Sequence, residues 1–99
     1  MSTYVLAFRG QPDRQAPEGA DDKWRAWFGE LGSALVDPGS RVGPVATLTA
    51  AEPGDPATAV LTGYLTVSAD DLESATRLAG GCPGLEHDLS VEIAEVLEA

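Results

Sequence analysis

The chain is poor in the residue types that build disulfides, metal sites and membrane spans. Its 99 residues include one cysteine, Cys82, and one histidine, His87. A single cysteine excludes an internal disulfide framework, and one cysteine with one histidine offers no recognisable metal-ligand spacing. No apolar run approaches the ~20 residues that a membrane-spanning helix needs. The apolar run at residues 4–8 is too short for a signal-peptide core and ends in Arg9. We therefore expect no metal, no cofactor and no membrane association.

Positive charge is also scarce. The chain carries 16 acidic and 6 basic side chains, which gives a net charge of −10 at pH 7. An acidic surface repels the phosphates of nucleic acids and of anionic lipids, so we expect neither as a partner. The lone cysteine fits a reducing compartment, and we expect a cytoplasmic protein. A composition rich in Ala and Gly, with arginine preferred to lysine, favours a bacterial source.

The first half of the chain predicts a strand and then a helix. Residues 3–9 (TYVLAFR) are rich in β-forming side chains and apolar on both faces, which is typical of a central strand. Residues 10–19 form a loop by composition, and Pro17 suits the first position of a helix. One helical face then carries large apolar side chains at spacings i, i+3, i+4, i+7 and i+11: Trp24, Trp27, Phe28, Leu31 and Leu35. Pro38 and Gly39 are predicted to end this helix.

The second half predicts a hairpin, a capped helix and a last strand. Residues 42–50 and 58–67 are two β-rich runs joined by a Pro/Gly loop. Ser68 is predicted to cap the second helix through a capping box. The apolar stripe of that helix consists of Leu72, Ala75, Leu78, Ala79 and Cys82. Gly80 and Gly81 are predicted to end the helix in a left-handed turn. Residues 89–96 alternate in polarity as a strand does.

The element order β-α-β-β-α-β predicts an α+β protein of the ferredoxin-like kind. We expect residues 1–99 to form one domain, a four-stranded antiparallel sheet with two helices on one face. The other face would carry apolar residues of the first strand among polar residues of its neighbours. A mixed patch of that kind favours an interface, and we expect a homodimer whose sheets meet face to face.

Several segments resemble the YCII-related proteins, a branch of the dimeric α/β-barrel superfamily that includes the DGPF-type proteins. The similar segments are residues 4–10 (YVLAFRG), 23–32 (KWRAWFGELG) and 63–83 (GYLTVSADDLESATRLAGGCP). Residues 90–96 (SVEIAEV) are similar to the closing strand of that family. The resemblance covers most of the chain. It implies a ferredoxin-like protomer, a homodimer, and a cleft between the sheet and the helices.

The resemblance carries over no catalytic pair. Some members of the family have a histidine early in the first helix, proposed to act with an aspartate as a dyad. The position of that histidine is Trp24 in this sequence. The Asp-Pro of those members is replaced by Cys82 and Pro83, and the DGPF motif is absent. We therefore expect no dyad of this kind here.

His87 is the candidate for acid/base catalysis, because histidine titrates near neutral pH. Its neighbour Asp88 would point to the opposite face of a strand and so would not orient it. The alternative is a loop histidine on an acidic surface. Cys82 lies at the C-terminal end of a helix, where the dipole disfavours a thiolate. We expect Cys82 to be a small buried hydrophobe.

Three large aromatic residues, Trp24, Trp27 and Phe28, lie close together on one predicted helix. Trp27 and Phe28 fit the core, whereas Trp24 fits either the core or the wall of a ligand pocket. Arg9 and Tyr64 would add a charge and a hydroxyl to that pocket. The alternative for Arg9 is a solvated strand end, and the alternative for Tyr64 is packing in the dimer.

These patterns favour a homodimer that binds a small organic molecule, without catalysis, near the sheet and the first helix. The expected ligand-binding residues are Trp24, Tyr64 and Arg9. Two alternatives stay open. One is a metal-independent enzyme acting on a small organic substrate, with His87 or a carboxylate as its acid/base. The other is an interaction module whose acidic surface binds a basic protein.

Overall fold

The computed structural model describes residues 1–11, 15, 17–46, 48, 59–86 and 88–97. Within these residues the chain folds in the order β-α-β-β-α-β, with a short 3-10 turn after each helix. The elements are β1 (Ser2–Gly10), α1 (Ala20–Leu31), β2 (Leu35–Arg41), β3 (Val60–Ala69), α2 (Leu72–Ala79) and β4 (Ser90–Glu95). The 3-10 turns cover Gly32–Ala34 and Pro83–Glu86.

The four strands form one antiparallel sheet in the order β2-β3-β1-β4. Strand β1 lies inside the sheet, where Leu6 pairs with Leu65 of β3 on one side and with Ile93 of β4 on the other. The α+β architecture predicted from the order of the elements is therefore confirmed.

Both helices pack on the same face of this sheet. Alternate residues of β1 are buried on that face, among them Leu6 and Phe8, because successive side chains of a strand point to opposite sides. They share one core with Trp27 of α1 and Ala75 of α2. Cys82 lies in the same core at 2% exposure, so its predicted role as a small buried hydrophobe is confirmed.

Helix α1 is shorter than the sequence predicts. It begins at Ala20, after Gly19 in the left-handed region (φ 80°), rather than at Pro17. It ends at Leu31, because Gly32 takes φ 53° and leaves the helical path. The prediction that Pro38 ends the helix is therefore wrong. The apolar spacing extends past the true end because Leu35, already in β2, still packs against the core.

Strand β2 lies earlier in the chain than predicted. It includes Pro38 and Gly39, and its register with β3 shifts between Asp37 and Ser40. Proline is tolerated here because β2 is an edge strand. Gly39 is required: its φ is 65°, and a Cβ would lie 1.8 Å from the Tyr64 carbonyl oxygen. The described residues of the predicted 42–50 strand are not in a strand.

The ends of α2 also differ from the prediction. Asp71, not Ser68, is the N-cap, and its Oδ1 accepts the amide of Ser74 at 2.7 Å. Ser68 belongs to β3 instead. The helix ends without a left-handed residue, since Gly80 has φ −60° and donates its amide to the carbonyls of the last turn. The predicted glycine stop is therefore wrong in its geometry.

The second face of the sheet is mixed in polarity among the described residues. Val5 and Ala7 of β1 are partly buried at its centre, and Tyr64 and Glu92 flank them on the neighbouring strands. A bulge changes the phase of β3 before Gly63, so that Leu61 pairs with Arg9 and not with Gly10.

Candidate functional site

A cavity of about 1080 Å³ opens between the first half of α1 and the adjoining ends of β2 and β3. Its lining among the described residues comes from α1, from residues 38–45 and from residues 60–65, together with Phe8, Gln11 and Leu89. The segment predicted as the start of a strand, residues 42–45, thus borders this cavity instead. A cavity of this size is typical of sites that take small organic molecules.

An aromatic cluster forms the apolar wall of the cavity. The Trp24 ring meets the Phe8 ring edge to face, with centroids 5.1 Å apart and planes at 89°. On its other side Trp24 lies 6.2 Å from Phe28, also at a steep angle of 71°. Edge-to-face contacts at these distances are favourable, so the three rings support one another around the cavity.

The two tryptophans of α1 have different surroundings. Trp27 is 3% exposed and donates its Nε1–H to the carbonyl of Leu78 in α2 at 3.3 Å. It packs 5.5 Å from Trp24 but does not line the cavity. Trp24 is only partly buried and does line it. Trp27 is therefore a core residue, as predicted. Phe28, predicted as core, contacts both the core and the cavity.

A glycine forms part of the cavity lining between the rings and strand β2. Gly63 of β3 pairs with Phe8 of β1 on one side and with Arg41 of β2 on the other. A Cβ built on Gly63 would lie 3.1 Å from the Ser40 carbonyl oxygen and 3.9 Å from the Phe8 ring. The missing side chain therefore leaves space between the Phe8 ring and Arg41.

The charged residues of the lining are Asp21, Arg25 and Arg41. Arg25 pairs with Asp22 on the outer side of α1, at 3.5 Å and with both side chains exposed, so this pair contributes little to stability. Lys23 reaches Glu86 in the second 3-10 turn at 3.5 Å.

The predicted ligand residues do not all come together. Trp24 and Tyr64 both border the cavity. By strand alternation, however, the Tyr64 ring stands on the opposite face from its buried neighbours Gly63 and Leu65, and Tyr64 is 41% exposed. Arg9 is absent from the described lining. It lies between two buried residues of β1 and pairs with Glu92 at 3.7 Å.

His87 lies outside the described residues, so neither its role in catalysis nor the alternative of a loop histidine is tested. Among the residues that are described, no three His, Cys, Asp or Glu side chains are grouped so that they could hold a metal ion. Within the same residues, no helix has the length and hydropathy needed to cross a bilayer.

Sequence reasoning missed most of the cavity residues, among them Phe28, Gly63 and Arg41. Phe28 carries a signal, because it lies four residues after Trp24 and so shares its helical face. Gly63 and Arg41 carry none by themselves. Their importance depends on the β2–β3 register, which the misplaced second strand concealed.

Among the described residues, the two groups with shifted pKa values lie outside the cavity. Burial raises the pKa of the Tyr4 hydroxyl, and the carboxylates of Glu95 and Asp71 act in the same direction. The pKa of Asp71 is lowered, chiefly by the hydrogen bond from the Ser74 amide, which favours the ionised form. These shifts belong to the core and to the start of α2, and neither residue borders the cavity.

Neither a protein-family model nor a curated protein matches this chain. The resemblance to the YCII-related proteins therefore stays a prediction.

Proposed function

We propose that this protein binds a small organic molecule with a flat, apolar body in the cavity beside α1. The observation that carries the proposal is the half-buried Trp24 ring, which stands between Phe8 and Phe28 at the edge of an open space of about 1080 Å³. A large apolar ring left at the side of a cavity gains from covering by a ligand.

Packing against the core accounts for only part of the Trp24 surface, because Trp24 contacts the core and also borders the cavity. Trp27 already occupies the space between α1 and α2, where Gly81 leaves room for its ring: a Cβ at Gly81 would lie 3.0 Å from the Trp27 indole. Trp24 adds its edge contacts one turn earlier, next to the cavity. A flat ligand placed against Trp24 would add an aromatic contact worth about 0.5–1.5 kcal/mol beyond the burial of its surface.

The proposal can be tested with the neutral fluorophore N-phenyl-1-naphthylamine, which becomes bright in apolar sites. We expect saturable binding with one site per chain. Replacing Trp24 by alanine should weaken binding at least about tenfold, since it removes a wall of the site and the contacts of its ring. The measurement is a fluorescence titration, with circular dichroism to confirm that the variant is folded.

Leu72→Ala serves as the matched control. Leu72 is also a large apolar residue and is 53% exposed, but it lies on α2, away from the cavity. Its removal should leave the affinity unchanged. Absent binding to the wild type, or equal affinity in Trp24→Ala, would contradict the proposal. Tyr64→Phe then tests whether the Tyr64 hydroxyl contributes, and Arg9→Gln tests the remaining predicted ligand residue.

We also propose that the protein is a homodimer of the YCII-related type, acting in the cytoplasm. The element order and the strand order fit a ferredoxin-like protomer, and the single cysteine fits a reducing compartment. The sheet face around Val5 and Ala7 supports the dimer, because partly buried apolar residues there have polar neighbours. Sedimentation equilibrium should give twice the chain mass for the wild type and the chain mass for Val5→Asp. A wild-type monomer at micromolar concentration would contradict this proposal.

A further inference from the structure

Arg41 differs from the other arginines that the structure describes. Those three each have a carboxylate partner: Arg9 with Glu92 at 3.7 Å, Arg25 with Asp22 at 3.5 Å, and Arg77 with Glu73 at 3.4 Å. No described carboxylate pairs with Arg41, although the chain has 16 acidic side chains. Arg41 borders the cavity and is exposed at its mouth.

The sheet register places Arg41 opposite the aromatic wall. Arg41, Gly63 and Phe8 are direct neighbours across three strands, so they share the face that the helices cover. Since adjacent strands lie about 4.8 Å apart, the backbones at Phe8 and Arg41 are separated by roughly 10 Å. Gly63 leaves the space between them free of any side chain.

The formal charges of Asp21 and Arg25 in the lining cancel, so Arg41 gives the cavity a local charge opposite to that of the whole protein. With a net charge of −10, the protein repels organic anions elsewhere on its surface. A guanidinium offers several N–H donors in a plane, which suits the oxygens of a carboxylate or a sulfonate. The two ends of the cavity therefore suit two different parts of one molecule.

We propose that the ligand of this cavity is an organic anion, and that Arg41 binds its anionic group while Trp24 and Phe8 contact its apolar body. This inference rests on the proposed function, because it names the chemical class of ligand for the same site. The ligand has its charge at one end and a flat apolar part about one strand spacing away, above Gly63.

A matched pair of probes tests the inference. The dye 1-anilinonaphthalene-8-sulfonate has the same ring skeleton as N-phenyl-1-naphthylamine and differs from it by the sulfonate. We expect Arg41→Gln to weaken binding of the sulfonate dye about fivefold at low salt, as is typical of a partly exposed ion pair. Binding of the neutral dye should weaken less than binding of the sulfonate dye. Added salt should weaken binding of the sulfonate dye to the wild type and should have no such effect on Arg41→Gln.

Arg77→Gln is the control for charge. This variant changes the net charge by the same amount as Arg41→Gln. Arg77, however, lies on α2, in an exposed pair with Glu73. The variant should leave both dyes unaffected, and Arg41→Lys should retain part of the sulfonate affinity. Failure of the sulfonate dye to bind, or equal losses in Arg41→Gln and Arg77→Gln, would overturn the inference while the neutral dye still binds. If the neutral dye itself does not bind, the proposed function fails and this inference fails with it.

Discussion

The two helices cover the same sheet in different ways. Helix α2 places small residues against it: Ala75 is 0% exposed and Ala79 is 2% exposed. Helix α1 places large rings against it, with Trp27 buried and Trp24 only partly so. Small side chains allow a helix to approach a sheet closely, whereas large rings fill the space only where their shapes fit.

This difference separates the tightly packed part of the core from the part that borders the cavity. On the α2 side, the core is filled by the buried residues Ala75, Ala79 and Cys82. On the α1 side, Trp27 is buried in the core, whereas Trp24 borders the cavity. A cavity beside one helix is therefore compatible with a packed core, provided that the other helix and Trp27 supply the tight packing.

Replacing Trp27 by alanine should have the largest effect. We expect the free energy of unfolding to fall by about 3–5 kcal/mol, because a buried ring and its contacts with both helices are lost. Trp24→Ala should cost only about 1 kcal/mol, since its ring is partly exposed before the change. Urea denaturation of the two variants measures the contrast.

Trp27→Phe is the conservative variant for that contrast. It keeps a ring but loses the hydrogen bond to the Leu78 carbonyl, so we expect a smaller loss than for alanine. If Trp24→Ala and Trp27→Ala destabilised the protein equally, both tryptophans would be core residues. The proposed difference between a buried Trp27 and a cavity-lining Trp24 would then be disproved.

Ala75→Leu should have the next largest effect. Ala75 of α2 is fully buried, so the three extra carbons of leucine have no space. We expect the free energy of unfolding to fall by about 1–3 kcal/mol. The matched control is Ala26→Leu on the exposed side of α1, which should change stability by less than about 0.5 kcal/mol. Thermal unfolding of both variants provides the test, and a tolerant Ala75→Leu would show that α2 is not closely packed.

The smallest effect concerns the start of α2 and depends on pH. The pKa of Asp71 is lower in the folded protein than in the unfolded chain, because the ionised carboxylate accepts the Ser74 amide. Its ionisation therefore stabilises the fold above the ordinary aspartate pKa of about 4, and that stabilisation is lost as the pH falls through the lower folded value. Asp71→Asn should be less stable than the wild type at pH 7, and the difference should shrink at acid pH. A difference in stability between the two proteins that stays constant with pH would show that the charge of Asp71 does not stabilise the fold.

Much of the fold was predictable because local signals and tertiary packing agree in β1, β3, α2 and β4. They disagree around Pro38 and Gly39. A proline–glycine pair usually ends a helix, but here an edge strand tolerates it, and Gly39 lies against the Tyr64 carbonyl. A contact between distant residues decides this part of the chain, and a local pattern does not contain it.

Of the residues that border the cavity, the sequence predicted Trp24 and Tyr64, and the position of Trp24 on a helix follows from its spacing to Trp27. Arg41 and Gly63 gain their roles from pairing across strands, since they lie far apart in the sequence but adjacent in the sheet. The bulge that pairs Leu61 with Arg9 is likewise a property of two strands together. A single sequence does not specify such register.

The glycine at position 63 gives the cavity a fixed length. The separation of the Phe8 and Arg41 backbones is set by hydrogen-bonded strands, which side-chain rotation does not alter. Under the proposed function, ligands would therefore be selected by the distance between their ring and their charge, as well as by polarity. Because the backbone of Gly63 is not in the left-handed region, one added methyl group there would shorten the available length without requiring a new fold. Position 63 is thus the place at which the ligand preference of this scaffold is open to redesign.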